Sequence, residues 1–520
     1  MIIINNVLVP LDTDFSDLKG IAAKELKTPV SNIVNAKLYR KSVDARHKDN
    51  IVFCLSITVN LKQNENTVLK NNKKASVFKE KEYVWKRAEN KPELNPVVVG
   101  FGPAGMFAAL SLARAGLCPV VLERGSNVDK RTKQVKDFFE GKPLNTESNV
   151  QFGEGGAGTF SDGKLNTGIK NERVRTVLKV LCEHGAEENI LTDAKPHIGT
   201  DVLVNVVKNI REEIISLGGK IYFDTKLEDI KTENGKVTSV IANSKEIPCE
   251  SLVLATGHSA RDTFYMLYGK GLCMTRKPFS VGLRIEHKQE DINKALYGKF
   301  YDSPYLGSAD YKLSCHLENG RGVYSFCMCP GGEVINASSE EKGIAVNGMS
   351  NSLRDGENAN SALLVGINPD DFEGDDVFAG VKLQREIEQK AYSLLGGEVP
   401  VTTVGNFLYG KEQKIGKVVP SVKPKYHFAN LSLIYPDFII DSLKEGIKLF
   451  GKKIKGFDSD DAILTAPETR SSSPVRMTRD DEFQSVSIKG IYPCGEGAGY
   501  AGGIVSAAVD GLCVAEKIIK

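Results

Sequence analysis

Between Val97 and Glu123 the chain reads VVVGFGPAGMFAALSLARAGLCPVVLE, an order of residues that few folds can accommodate. A short apolar run, Val97 to Val99, leads directly into Gly100-Phe101-Gly102-Pro103-Ala104-Gly105, and strong helix formers continue to Gly116. The next apolar run ends at Glu123. The order is strand, glycine turn, helix, strand, and each part has a physical task. Gly100 makes the tight turn, Gly102 lets the backbone approach a pyrophosphate, and Gly105 lets helix and strand close on each other. Pro103 and Ala104 open the helix, whose N-terminus attracts the anion. Glu123 is positioned to accept hydrogen bonds from ribose hydroxyls, and an acid there disfavours a 2′-phosphate, so NADP is not expected in this site. A glycine turn can be no more than a turn, but strand, helix and acid in register favour a dinucleotide.

A second glycine-rich stretch, QFGEGGAGTFSDGKLNTG from Gln151 to Gly168, holds six glycines in 18 residues and does not fit that fingerprint. One reading is a surface loop of small residues. The other is a second wall of the same site, with Gly155 and Gly156 giving backbone N–H groups access to a cofactor while Thr159, Ser161 and Asp162 offer polar contacts.

The rest of the chain divides around these motifs. Residues 1–90 read as a small α+β module of ferredoxin-like character, with Asn60 to Lys81 as a polar linker and Trp85, the only tryptophan, anchoring it to the next domain. Residues 91–275 form the first part of a nucleotide domain. Asp201 is the expected N-cap of a helix with Leu203, Val206, Val207, Ile210, Ile214 and Leu217 on one face. Residues 220–247 read as a strand meander with a hairpin turn at Asn234-Gly235. Residues 276–465 show mixed strand and helix patterns, and 466–520 return to strand, glycine-rich turn and helix. The expected fold class is α/β: a Rossmann-like three-layer domain with a mostly parallel sheet and an antiparallel addition, carrying an inserted α+β substrate or cap domain.

Composition excludes several functions. Sixty-eight Lys and Arg against 66 Asp and Glu leave a formal charge of +2, so nothing in the bulk charge points to nucleic acid or an anionic membrane. No run approaches the roughly 18 apolar residues of a membrane span, and the first residues lack the pattern of a signal peptide, so the expected compartment is the cytoplasm. The ten cysteines are scattered, with Cys327 and Cys329 the only close pair, which suits reduced thiols and offers no metal-ligand cluster.

Three separated segments resemble the large flavoprotein superfamily with a glutathione-reductase type of FAD domain: the fingerprint ending in Glu123-Arg124-Gly125, the strand ending in Ala255-Thr256-Gly257, and Gly495-Glu496-Gly497 before a C-terminal helix. The resemblance implies FAD as the cofactor, with Glu496 standing where the superfamily has Asp against the ribityl chain. It also implies a helix beyond Gly502, Gly503 and Ile504 aimed at the flavin. FGEGGAGTFSDGKL, KPHIGTD, KPFSVGLRIEH and GRGVYSFCMCPGGEVINASSE further resemble a bacterial family described as uncharacterised FAD-dependent dehydrogenases, over nearly the whole chain.

The implied activity is an FAD-dependent oxidoreductase acting on a small molecule. With no second G-x-G-x-x-G and no C-x-x-x-x-C pair, the expected electron donor is either NAD(P)H, arriving transiently without a domain of its own, or a protein. Catalytic candidates are Arg284 for a substrate carboxylate and His287 for proton transfer, set against a plain charge network at a strand end. Cys329 with Cys327 offers a thiol near the flavin or a redox-sensitive pair, set against small residues in a sheet core. A flavoprotein that binds RNA or docks a partner through its N-terminal module is the alternative, although that module's strands lack the clustered aromatics that stack bases. The residues specify neither substrate nor oligomeric state.

Overall fold

A computed structural model describes residues 1–63 and 65–519. The N-terminal strands Ile2–Val9, Ile33–Asp44, Val52–Leu61 and Ala75–Val77 form one antiparallel sheet in which Ile2–Val9 and Val52–Leu61 are central. Helices Leu18–Leu26 and Glu65–Asn71 follow the first and third strands, giving the split βαββαβ order of a ferredoxin-like module. Ala22, Leu26 and Val68 bury themselves against Ile2, Ile4, Leu55 and Ile57. The expected linker at Asn60 to Lys81 is therefore wrong in part, since it contains the second helix and the fourth strand. The Lys/Asn-rich composition hid them because Val68 is the one buried apolar side chain of that helix, and the strand is held by backbone pairing with Ile2–Ile4. Trp85 packs where expected, under the Arg114 guanidinium and edge-on to Tyr83.

The nucleotide-binding part is built on a parallel sheet in the order Ile491–Pro493, Leu252–Leu254, Val97–Val99, Val120–Leu122, Lys220–Tyr222. Its central strands are buried on both faces, as their unbroken apolar runs require. Val98, Val121 and Val253 face helices Pro103–Arg114, Arg173–Glu183, Thr200–Ser216 and Ile504–Ile518. Val97, Val99, Leu122, Leu252 and Leu254 face the antiparallel strands Leu227–Glu233, Lys236–Ala242 and Lys245–Pro248. Asn234 and Gly235 both take positive φ at the hairpin tip. Lys220–Tyr222 belongs to the parallel sheet and not to the meander.

Two expectations for the next helix change. The N-cap of Thr200–Ser216 is Gly199; Asp201 lies inside the first turn and accepts hydrogen bonds from the backbone and hydroxyl of Ser352. Leu217 lies beyond the helix and is exposed, while the other five predicted face residues are buried.

A seven-stranded sheet dominates the region after Phe279, with Phe279–Lys288 and Asn358–Ile367 paired antiparallel at its centre and Gly322–Cys329 beside them. Helices Ala379–Leu395 and Asp437–Gly451 close the apolar core of this cap.

The C-terminal helix crosses the fingerprint helix closely: a Cβ built at Gly511 would lie 2.1 Å from the Ala104 carbonyl oxygen. Gly511→Val is expected to destabilise the protein by about 1–3 kcal/mol through overpacking. Urea unfolding checks this, and an unchanged midpoint would contradict the close approach.

Candidate active site

Three chain reversals meet at the C-terminal ends of the parallel strands, where open α/β sheets place their ligands. The Glu123 carboxylate ties them together, accepting from the backbone N–H of Phe101 at 2.7 Å, Gly125 at 3.0 Å and Gly153 at 2.9 Å. Glu123 thus braces the fingerprint turn and the second glycine loop at once, with lone-pair capacity left for a ribose hydroxyl. The loop comes close enough that a Cβ on Gly156, at φ +62°, would stand 2.9 Å from the Cα of Gly102.

These reversals line a cleft of about 310 Å³, open to solvent at its mouth. Of the residues expected at a cofactor, Gly100, Gly102, Pro103, Ala104, Glu123, Arg124, Gly156, Ser161, Asp162, Ala255, Thr256, Gly257, Glu496, Gly502, Gly503 and Ile504 line it. Four others stand behind the wall. A Cβ at Gly105 would meet the Gly100 carbonyl oxygen at 1.9 Å, so that glycine serves packing. Gly155 lies against Thr159 and Val207, the Thr159 hydroxyl donates to the Glu154 carbonyl, and the Gly495 N–H donates to Asp510. Arg124 is held by Glu147 and Asp262 over the ring of Phe152.

The cleft fits a dinucleotide carrying a pyrophosphate. Helices Pro103–Arg114 and Ile504–Ile518 both begin on its wall, at Gly102 and Gly503, and neither has a side-chain cap on its first N–H groups. Those free donors and the helix dipoles favour an anion. The buried Thr256 hydroxyl on the same wall has no hydrogen-bond partner among the described residues.

The cap brings a second set of groups to the same cleft. Phe326, Cys327, Asn347, Glu468, Arg470 and Ser471 line it together with Ser161, Asp162 and Lys164. Of the C-x-C pair, Cys327 is the one at the wall. Cys329, the candidate from the sequence, is fully buried behind it, because the register of its strand slips between Phe326 and Cys329. Arg284 is also buried, its Nε 2.6 Å from Glu468 and its Nη1 2.6 Å from Asn360. It braces the wall without being part of it. His287 is a correction: it lies on a central strand, inside the cap, its Nε2–H donating to the Phe457 carbonyl at 2.8 Å and its ring against Phe457. His197 bonds the Ser352 carbonyl and does not line the cleft.

Sequence reasoning missed Lys164, Glu468 and Arg470. Burial pushes the Glu468 carboxyl up to about 7 even with Arg284 beside it, and burial likewise lifts Glu496 to about 7 against the pull of Lys277. Two carboxyls near neutrality therefore face the cleft, a state suited to taking or giving a proton. His258, at the wall, donates to the Arg470 carbonyl, and burial lowers it to about 4, so it stays neutral.

The description FAD-dependent protein, C-terminal domain-like, matches residues 278–471, and pyridine nucleotide-disulphide oxidoreductase matches 94–296. Residues 1–60 match a domain of unknown function. An uncharacterised protein of Clostridium beijerinckii is 48% identical over 99% of this chain and 98% of its own length. The chain belongs to this FAD-dependent protein family. Among solved structures, the fold is similar at long range to glycine oxidase from Bacillus cereus, with 12% identity, TM-score 0.31, and coverage of 82% of this chain and 95% of that one. CtdE in complex with FAD shows 13% identity, TM-score 0.31 and coverage of 82% and 84%. Likeness this distant assigns no substrate and no residue role. The family is one of FAD-dependent oxidoreductases, and FAD is its cofactor.

The geometry makes two substitutions informative. Gly156→Val puts side-chain atoms against the Gly102 backbone and is expected to abolish flavin retention; a fully yellow variant would contradict it. Glu388, on the cap helix Ala379–Leu395, is buried between Arg261, at 2.8 and 2.9 Å, and Arg470, at 2.7 and 2.9 Å. Glu388→Gln leaves Arg470 without its carboxylate partner and Arg261 with Glu340 alone, and is expected to cost about 3–5 kcal/mol in urea unfolding. Burial raises the Glu388 carboxyl, but the two arginines outweigh it and hold it well below the usual range. Its contribution is therefore whole above about pH 4.3 and lost as pH falls towards the lowered folded value, so wild type and variant converge only in acid.

Proposed function

We propose that one FAD lies along this cleft and that the cap presents a small-molecule substrate to its flavin end. The observation that carries the reading is the abutment of Gly102 and Gly156 beside two uncapped helix N-termini. Glu123 at one end suits the adenosine ribose, which leaves the other end, at Lys164, Cys327, Glu468 and Ile504, for the isoalloxazine. Bound FAD would supply two-electron transfer.

The residues of this chain have distinct tasks in that reading. Gly502 and Gly503 let the positive end of the last helix approach the flavin edge where negative charge develops. Glu496 reaches the ribityl hydroxyls in place of a shorter acid. Glu468, near neutrality and braced by Arg284, holds or moves the substrate proton, the task that the sequence pattern suggested for His287. Arg284 is a positioning residue. The cap walls off bulk water from this end through the Glu388 clamp on Arg261 and Arg470.

NAD(P)H is the proposed electron donor, arriving transiently, because the chain carries one dinucleotide fingerprint. Ten free cysteines, and no described helix long and apolar enough to cross a membrane, support work in the reducing cytoplasm.

Purified protein is expected to release one FAD per chain on heat denaturation and to bleach under anaerobic NADH or NADPH. A protein that releases FMN, or none, would overturn the cofactor placement. Persistent yellow colour with both nicotinamides would overturn the donor.

A further inference from the structure

The C-x-C motif in the cap has no task in holding the cofactor, yet its geometry is unlike that of two small residues in a sheet. In a regular strand, residues two apart lie about 6.6 Å from each other, near the far end of what a disulfide spans. Here the strand breaks between them. Cys327 has φ +41°, a left-handed conformation rare for a side chain without local hydrogen bonding, and pairing slips between Phe326 and Cys329. The break turns Cys327 to the cleft wall and folds Cys329 back, its thiol 3.2 Å from the carbonyl oxygen of Cys327.

The surroundings suit a thiolate. Arg284 Nη1 lies 3.1 Å from the Cys327 carbonyl and 3.9 Å from the Cys329 sulfur. Lys164 reaches the same bulge, donating to the Met328 carbonyl and to Asp162. Gly348 covers the cluster with no room for a side chain, since a Cβ there would stand 2.2 Å from Arg284 and 2.7 Å from the Cys329 sulfur. The carboxyls that face the pair are Asp162, Glu468 and Glu496; Asp162 and Glu468 are each paired with a cation, and Glu496 lies within the pull of Lys277.

We propose that Cys327 and Cys329 are a redox dithiol at the flavin end of the cleft, cycling between thiolate plus thiol and an intrachain disulfide, with bound FAD as the two-electron partner. In the oxidising direction the Cys327 sulfur bonds to the Cys329 sulfur, the Cys329 S–H proton leaves, and two electrons and one proton pass to oxidised FAD. In the reverse direction reduced FAD opens the disulfide. The dithiol places thiol or disulfide compounds among the substrates of this site. Hydrogen bonding from Cys329, with the charges of Lys164 and Arg284, outweighs burial and pulls the Cys327 thiol well below its usual value, while Cys329 is pushed up and keeps its proton. That asymmetry is what an attacking thiolate with a resolving thiol requires. The proposal rests on FAD occupying the cleft.

The test uses the full-length FAD-bound protein. After brief diamide treatment and alkylation, peptide mass mapping is expected to find Cys327 and Cys329 joined, with the other eight cysteines alkylated. Anaerobic dithionite titration of that oxidised protein is expected to consume two equivalents per FAD, against one for Cys327→Ser and one for Cys329→Ser. A wild-type protein in which both thiols remain alkylatable, or whose titration ends at one equivalent, overturns the dithiol. If either Ser variant fails to fold, the wild-type mass map and titration still decide. Failure of the FAD placement is separately visible as protein without yellow colour, and the mass map then decides the thiol pair by itself.

Discussion

One carboxylate organises the site. Glu123 sits at the end of its strand and accepts from three backbone N–H groups that belong to three separate reversals of the chain. Buried charge of this kind is tolerated because every donor is a preformed amide. By holding Phe101 and Gly153 to the same group, Glu123 sets the spacing between the fingerprint turn and the second glycine loop. Gly102 and Gly156 can meet this closely because Gly156 has no side chain, a Cβ there falling 2.9 Å from the Gly102 Cα. The helix behind the first turn and the helix after Gly503 then open on one cleft.

The cap is fixed to this frame by charge as much as by apolar burial. Arg261 belongs to the nucleotide-binding part and Glu388 to the cap, while Arg470 lies on the return segment between them and lines the cleft. A second buried pair, Arg284 with Glu468, lies inside the cap and stiffens the wall nearest Cys327. Such pairs are weak sources of net stability and strong sources of geometry, because each partner left alone is costly. Their positions at the seam suit a site that must hold one spacing between flavin and substrate.

The parts legible in the sequence are those whose physics is local. The fingerprint, the Asn234-Gly235 hairpin and the buried face from Leu203 to Ile214 depend on residues close in the chain, and they stand as read. The second loop was legible only as two alternatives, a surface loop or a wall of the site, and its placement against Gly102 favours the wall. The misreadings all depend on tertiary placement. The strand Ala75–Val77 exists because Ile2–Ile4 offers an unpaired edge, which no composition reveals. His287 and Arg284 looked like a strand-end cluster, but the strand runs through the middle of a seven-stranded sheet, so both side chains are enclosed. Glu468 was invisible because nothing in APETR distinguishes an acid that will be buried beside an arginine 184 positions earlier.

The exchange of Cys329 for Cys327 shows how little separates scaffold from chemistry. Strict alternation gives both cysteines the same face, and either would then pass for core. One slip in register and one left-handed residue divide their environments: the first thiol meets the cleft with Lys164 near it, and the second stays dry beneath Gly348. A β-bulge re-aims a side chain without altering the sheet that carries it. Phe279–Lys288 and Asn358–Ile367 remain in unbroken register with each other over ten residues, whereas the pairing of Phe279–Lys288 with Ile463–Glu468 slips between Gly282 and Arg284, so the two slips of this sheet fall where Cys327 and Glu468 are brought to the cleft. A strand needing only two small residues at these positions has no use for a left-handed residue between Phe326 and Cys329.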